Sequence, residues 1–441
     1  MTSGRFGQSL ASGAFFVFLS ASSILTAQQQ AVLSSDQQSR ISGILRVAYR
    51  DVKDYYYDPK IRGLNWDARY QQYASMIGKA RNVDDGLSVV AAFLNGLEDS
   101  HTYFVPPTRV NRFDTGYQFK VVGDDCFITQ IRPKTEAAEK LQVGDQVIAL
   151  DGYKVNRTDF HDMQYFFKIL TPRAAEQLDL RSPAGEQRRV IVNAKVRASK
   201  QLLDFTTDSE YMDLIRRSED EEHATRSRVM EIGDVAIWKL QSFVLDYDKA
   251  DKAIGIARKH SALILDLRGN PGGSIDTLKW IVGSLFDRDI KISDRIEKKE
   301  TKAMVAKHHG SPFTGKLIVL VDSGSASCAE LLARVVQIEH RGTVIGDRTA
   351  GAVMEAMYYQ ESEGTDNVVR YGFSITHANL MMGDGKSLEK AGVMPDEVVL
   401  PTGADLAAGR DPVLARAAEL AGEKLDSVAA GKLIPFEWAP I

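Results

Sequence analysis

Four short apolar runs constrain the fold most: Val235-Ala-Ile-Trp-Lys-Leu240, Ala262-Leu-Ile-Leu-Asp-Leu267, Leu317-Ile-Val-Leu-Val321 and Thr343-Val-Ile345. Helix-length segments such as Asp276 to Phe286 and Ala329 to Ile338 separate them, and strands alternating with helices indicate an α/β domain. Open α/β sheets hold their ligands beyond the carboxyl ends of the strands, and two turns lie there. The first is Asp266-Leu-Arg268-Gly-Asn-Pro-Gly272-Gly273, whose paired glycines can take φ > 0 and present bare backbone N–H groups. The second, Ser323-Gly-Ser325-Ala-Ser327-Cys328-Ala329-Glu330, sets small hydroxyl residues where a strand hands over to a helix, and a helix N-terminus favours developing negative charge.

The chain has 441 residues, enough for two or three domains and more than one core. Its formal net charge of -4, with both signs scattered, supplies no basic stripe, so nucleic acid and anionic membrane surfaces are poor partners. Arg5 followed by the apolar stretch Gly13 to Ala27, which ends in small residues, is a signal-peptide pattern with a cut after Ala27; the stretch is short for a bilayer core of roughly 30 Å. The expected location is therefore the periplasm or the exterior of a bacterial envelope. Cys126 and Cys328 fall in different parts of the chain, which argues against a structural disulfide. No metal-ligand cluster is evident, His308-His309 being a pair in a Lys-rich stretch, and no cofactor is expected.

From Ser34 to Gly96 apolar residues recur at helical spacing (Ile41, Ile44, Leu45, Ala48, Val52, then Tyr70, Tyr73, Ile77), with a break at Asp58-Pro59. From Gly116 to Val196 short strands such as Cys126 to Ile131 and Gln146 to Leu150 predict a small β-rich module. The charge-dense stretch Asp208 to Arg228 reads as a linker or exposed hairpin.

Five motifs then occur in order: Leu97-Glu-Asp-Ser100-His101-Thr102, Gly144-Asp145-x-Val147-x-x-x-Asp151-Gly152, Leu265-Asp-Leu-Arg268-x-Asn270-Pro-Gly-Gly273, Ser325-Ala-Ser327-x-x-Glu330 and Gly392-Val-x-Pro395-Asp396. Taken together they resemble the C-terminal processing and tricorn-core serine peptidases, and they span most of the chain beyond the signal. The resemblance implies a multidomain α+β fold: a small helical N-terminal domain (28–112), a PDZ domain (113–200), a linker (201–230) and a crotonase-like α/β protease domain (231–441), after a signal peptide (1–27). It also implies that Ser327 is the nucleophile, with Cys328 N–H and a backbone N–H of Gly272 or Gly273 forming the oxyanion hole.

One departure matters. Processing peptidases that resemble this chain activate the serine with a Lys shortly after a Thr-x-Gly turn, whereas here that stretch is Asp347-Arg-Thr349-Ala-Gly351-Ala352, and no Lys lies between Lys316 and Lys386. A serine hydroxyl needs another base. The tricorn-like branch uses His, and His101 resembles that residue, with Glu389 in the place of its orienting carboxylate; such triads draw on distant positions. His377 is the runner-up base. Glu330 is expected in the first turn of the helix after Ser327, holding the turn, and Arg268 and Asn270 are expected to brace the glycine loop.

The PDZ resemblance makes Gly116-Tyr117-Gln118-Phe119 the carboxylate-binding loop, beside which a C-terminal tail would add as a strand. The expected function is that of an exported serine endopeptidase. It would act on peptides or unstructured tails through an acyl-enzyme on Ser327, the PDZ domain delivering or gating substrate. The alternative is a non-catalytic peptide- or ligand-binding protein on the same fold. A homo-oligomer or an activating partner stays open.

Overall fold

The computed structural model describes residues 33–107, 111–198, 227–363 and 368–438. The signal-peptide stretch and most of the 201–230 linker lie outside them. Helix α1 (Ser35–Tyr55) opens with a reciprocal cap: Gln37 N–H donates to Ser34 Oγ at 3.2 Å and Ser34 N–H to Gln37 Oε1 at 2.9 Å. Its stripe of Ile41, Ile44, Leu45, Ala48 and Val52 is buried against α2 (Trp66–Ile77) and α3 (Val83–Asn95). These helices do not close a core alone. The same cluster takes in Phe104 of strand β1 (Tyr103–Val105), together with Tyr371, Phe373 and Ile375 from far down the chain.

A short antiparallel ribbon, β2 (Asn111–Asp114) with β9 (Lys195–Ala198), brackets the module between them. Within it, β3 (Tyr117–Val122), β4 (Asp125–Ile131), β5 (Gln146–Leu150), β7 (Ala175–Arg181) and β8 (Gln187–Asn193) form an antiparallel sheet in that order, with β6 (Tyr153–Lys154) beside β5. Short helices α4 (Glu136–Lys140) and α5 (Phe160–Gln164), the latter running into a wide turn at Tyr165–Leu170, accompany it. Strand β3 buries Tyr117, Phe119 and Val121 in alternation, as a half-buried strand does, and it is an edge.

The remaining chain forms two sheets. The first has the order β10 (Arg228–Ile232), β11 (Val235–Lys239), β12 (Ala262–Asp266), β15 (Lys316–Val321), β16 (Thr343–Gly346), β19 (Glu397–Val398), parallel from β11 onward. Its strands are buried on both faces. Leu263 and Leu265 face α6 (Tyr247–Ala257), α7 (Ile275–Leu285) and α8 (Cys328–Ile338), whereas Ala262 and Ile264 face α10 (Pro412–Ala421) and α11 (Ser427–Leu433), a short α9 (Gly403–Ala407) preceding these. Because β10 begins at Arg228, the last residues of the expected linker belong to this sheet, paired antiparallel to β11.

The second sheet joins β1, β13 (Ile290–Glu297), β14 (Thr301–Ala306), β17 (Met354–Glu363) and β18 (Val369–Met382). Strand β1 pairs with β18 through Tyr103↔Ser374, and this brings the Asp99–Thr102 segment to the α/β layer.

The β3–β4 hairpin leans on the carboxyl ends of the parallel strands. Ser323 Oγ donates to Val121 O, Gly123 N–H donates to Asp347 Oδ2 at 2.9 Å, and Arg157 pairs with Asp347 while donating to Arg348 O at 2.9 Å. Gly144 and Gly403 meet so closely that a Cβ on Gly144 would lie 2.2 Å from Gly403 O.

Candidate active site

Ser327 is the last residue before α8, and its backbone is left-handed, φ 53° and ψ -117°. A non-glycine residue rarely sits there, because Cβ crowds the following carbonyl; such strain persists only where surrounding bonds over-determine it, and functional turns collect it. The bonds are present. Ser327 N–H faces both Ala352 O at 2.9 Å and Glu330 Oε2 at 3.1 Å.

Glu330 is fully buried and binds more than its own helix start. Its carboxylate also accepts from Gly351 N–H at 2.8 Å, Ala352 N–H at 2.9 Å and the Thr349 hydroxyl. The serine turn and the Thr349–Ala352 turn are thus clasped by one side chain. Burial pushes its carboxyl up to about 7, against the pull of these donors.

The glycine loop lies against the serine. A Cβ on Gly272 (φ 101°) would come 2.7 Å from Ser327 Cβ and 3.1 Å from Cys328 N, so only glycine fits there. Asn270 braces the loop from below: its Oδ1 accepts Gly272 N–H at 2.8 Å and its Nδ2 donates to Leu240 O at 2.9 Å. That bond uses Gly272 N–H, which removes it from the candidate oxyanion donors. Among the described residues no acceptor takes the N–H of Gly273 or of Cys328. The Cys328 thiol is buried, faces Gly273 O at 3.2 Å, and is pushed by burial up to about 12, which keeps it protonated. Arg268 grips Asp266 and Asp411 behind the loop. Lys239, the buried lysine nearest that loop, is committed to Asp266 at 3.2 Å and to the Arg268 carbonyl.

His101 and Glu389 come together, but not directly. Ser100 stands between them, its Oγ 2.7 Å from His101 Nδ1 and donating to Glu389 Oε2 at 2.8 Å, while Ser100 N–H donates to Glu389 Oε1 at 2.7 Å. A hydroxyl has one proton, and with Glu389 ionised that proton goes to the carboxylate. Nδ1 must then carry the imidazole proton and donate to Ser100, which leaves the lone pair on Nε2. Asp99 fixes the backbone beneath, its Oδ1 accepting from His101 N–H at 3.0 Å, Thr102 N–H at 2.7 Å and Thr376 Oγ1 at 2.7 Å.

Burial pushes the His101 imidazole down to about 4, Asp99 opposing this and His161 of α5 adding to it. The residue as a whole keeps partial exposure. Burial likewise raises the Glu389 carboxyl. Glu389 Oε2 also accepts Val353 N–H at 2.9 Å, one residue from the Ala352 carbonyl that holds Ser327. No hydrogen bond joins Ser327 Oγ to His101 among the described residues. His377 belongs elsewhere: it is on β18, with Nε2 bonded to the Tyr359 hydroxyl.

The expected carboxylate-binding loop is largely strand. Gly116 (φ 76°) turns the chain into β3, and its N–H is taken by Asp114 Oδ1 at 2.9 Å. Tyr117 is buried with its hydroxyl on Glu176, and Phe119 is buried under Phe160. Gln118 is half-buried. No group of three His, Cys, Asp or Glu able to hold a metal ion occurs among the described residues.

A strained serine at a helix start, beside bare N–H groups and linked through Ala352, Val353, Glu389 and Ser100 to an imidazole, is the equipment of a serine-type hydrolase. Residues 232–399 match the family model of peptidase family S41, and residues 40–94 match that of the tricorn protease C1 domain. The carboxyl-terminal-processing protease of Synechocystis sp. is 22% identical over 81% of this chain and 80% of its own length. The tail-specific protease of Haemophilus influenzae is 24% identical over 60% of this chain and 38% of its own. In structure the chain is similar to mature CPAF, with a TM-score of 0.63 at 15% identity, covering 85% of this chain and 95% of that one. Residues 232–399 are thus a peptidase family S41 domain, and the chain is a serine-type peptidase.

Proposed function

We propose that this chain is an endopeptidase that cleaves peptides and unstructured protein tails through an acyl-enzyme on Ser327. The names of its relatives support this substrate class, processing of carboxyl termini being what the Synechocystis protein is named for. His101 Nε2 takes the proton of Ser327 Oγ as the hydroxyl attacks the peptide carbonyl, and later delivers it to the leaving amine. Ser100 and Glu389 hold the tautomer and steady the imidazolium that forms. Gly273 and Cys328 N–H receive the oxyanion. Approach of His101 to Ser327 accompanies substrate binding, since catalytic hydrogen bonds can be long in a free enzyme.

The observation that carries this reading is the continuous link from Ser327 N–H through Ala352 and Val353 to Glu389, Ser100 and His101. It supplies a base without the lysine that Ala352 displaces. A fluorophosphonate probe tests it: Ser327 is labelled in the wild type and not in Ser327→Ala, and absence of wild-type labelling from neutral to alkaline pH would sink it.

We further propose the domain layout given by the resemblance, with 113–200 a PDZ domain whose β3 edge receives tails. Its bracketing ribbon and its contacts with Ser323 and Asp347 suit a module inserted to deliver or gate substrate. Export to the periplasm or exterior rests on the pattern in residues 1–27. No helix among the described residues is long and apolar enough to cross a membrane. The S41 domain and relatives named as proteases favour the catalytic reading over the non-catalytic alternative.

A further inference from the structure

The glycine pair is pinched from two sides. On one side Gly272 touches the serine turn; on the other, a Cβ placed on Gly273 (φ 135°) would lie 2.9 Å from Val244 N and 3.1 Å from Val244 Cγ2. The segment carrying Val244 is fixed to the loop it faces. Phe243 N–H donates to Gly272 O at 2.7 Å, Ser242 Oγ donates to the same oxygen at 3.2 Å, and Val244 N–H donates to Ser242 Oγ at 3.0 Å. Phe243 is wholly buried in the α/β core, so Val244 cannot turn inward in its place; it remains 50% exposed, a branched apolar side chain held beside an exposed Gly273.

A lone exposed valine on an open surface needs no explanation. This one is one residue along the glycine pair from Ser327, and the peptide whose carbonyl oxygen reaches Gly273 N–H must lay a neighbouring side chain across it. We propose that Val244 is a specificity-determining residue. It forms the apolar wall of the subsite for a substrate side chain flanking the scissile bond and selects an aliphatic residue there. Each CH₂ buried on such a wall is worth about fourfold in kcat/KM, and a charged side chain would have to shed water against it.

The inference rests on Gly273 as an oxyanion donor, and its test separates the two. Cleavage of an unstructured protein and of peptide sets varied at one position at a time is mapped by mass spectrometry for the wild type, Val244→Asp and Val244→Thr. Labelling by a small fluorophosphonate, which has no peptide side chain, reports the nucleophile. The wild type should prefer aliphatic residues at one position beside the cut. Val244→Asp should lower kcat/KM on those peptides at least tenfold and move the preference at that position toward Lys or Arg. Val244→Thr, nearly the same shape, should lower the aliphatic preference a few-fold with labelling retained, which guards against misfolding of the Asp variant. Unchanged profiles in both labelled variants overturn the role of Val244 and leave the peptidase reading standing. Loss of wild-type labelling overturns both.

Discussion

Adjacent N–H groups of one loop go to two different carboxylates: Ala352 N–H to Glu330 and Val353 N–H to Glu389. Glu330 is saturated by backbone donors and one hydroxyl that is itself pinned, since Thr349 Oγ1 accepts Val393 N–H at 2.6 Å. Every one of its bonds ends in the main chain or one step from it. Glu389 shares Oε2 between Val353 N–H and Ser100 Oγ, and through that hydroxyl it reaches an imidazole. A buried carboxylate and a half-buried one, holding N–H groups one peptide apart, are therefore expected to do different work: the first to fix geometry, the second to fix a proton. What separates them is the group behind the hydroxyl that each holds: a backbone N–H behind Thr349, an imidazole behind Ser100.

Substitutions can break that contrast. Ser327→Ala should cost the most, on the order of 10⁵-fold in kcat with substrate binding retained, read by peptide cleavage. His101→Ala should come next, at roughly 10³- to 10⁴-fold. Ser100→Ala should cost about 10- to 100-fold in kcat with KM little changed, because the imidazole loses the acceptor that sets its tautomer. A loss no larger in His101→Ala than in Ser100→Ala would remove His101 as the base. Glu330→Gln should act on the other side of the contrast, since its amide places donors against the N–H groups it must accept. A loss of about 2–3 kcal/mol of stability is expected in denaturant melts, with the pH profile of the residual activity unmoved.

The smallest effects are in pH. His101, held near 4 in the folded state, stays neutral well into the acid range, so kcat/KM should fall only as pH drops toward 4; an acid limb at 6.5 would show a solvated imidazole. The two groups pull stability in opposite directions. The folded protein binds fewer protons at His101 than the unfolded chain between 6.5 and 4, so that contribution is lost on acidification. At Glu330 it binds more between 4.5 and about 7, so that contribution is present at low pH and lost as pH rises; Glu330→Gln should remove this slope.

Much of this was legible in the sequence. Strands β11, β12, β15 and β16 fall on the four apolar runs, because strands buried on both faces leave an unmistakable hydrophobic signature. The sheet of β13, β14, β17 and β18 has no such signature. Its strands mix charged and apolar residues, as in Lys291, Asp294 and Arg295, and pairing across distant segments has no local mark. The Asp-Ser-His-Thr motif exposed His101, yet nothing in spacing distinguishes Ser100 as a bridge from Ser100 as a spacer. That Asn270 consumes Gly272 N–H is equally invisible, since it depends on where a side-chain amide points.

The docking of the β3–β4 hairpin bears on solubility as well as on substrate. An edge strand with unpaired carbonyl and N–H groups is a template on which another chain can add, and proteins ordinarily blunt such edges with charge, proline or cover. Here the cover reaches only one end of the strand: Ser323 occupies Val121 O at the end of β3, and Asp347 occupies Gly123 N–H in the turn beyond. Parting the two halves, during synthesis or on heating, would bare an adhesive strand and a buried Arg157–Asp347 charge pair together. A chain whose module comes loose is then expected to aggregate as well as unfold, and the turn that carries Ser323 also covers that end of the strand.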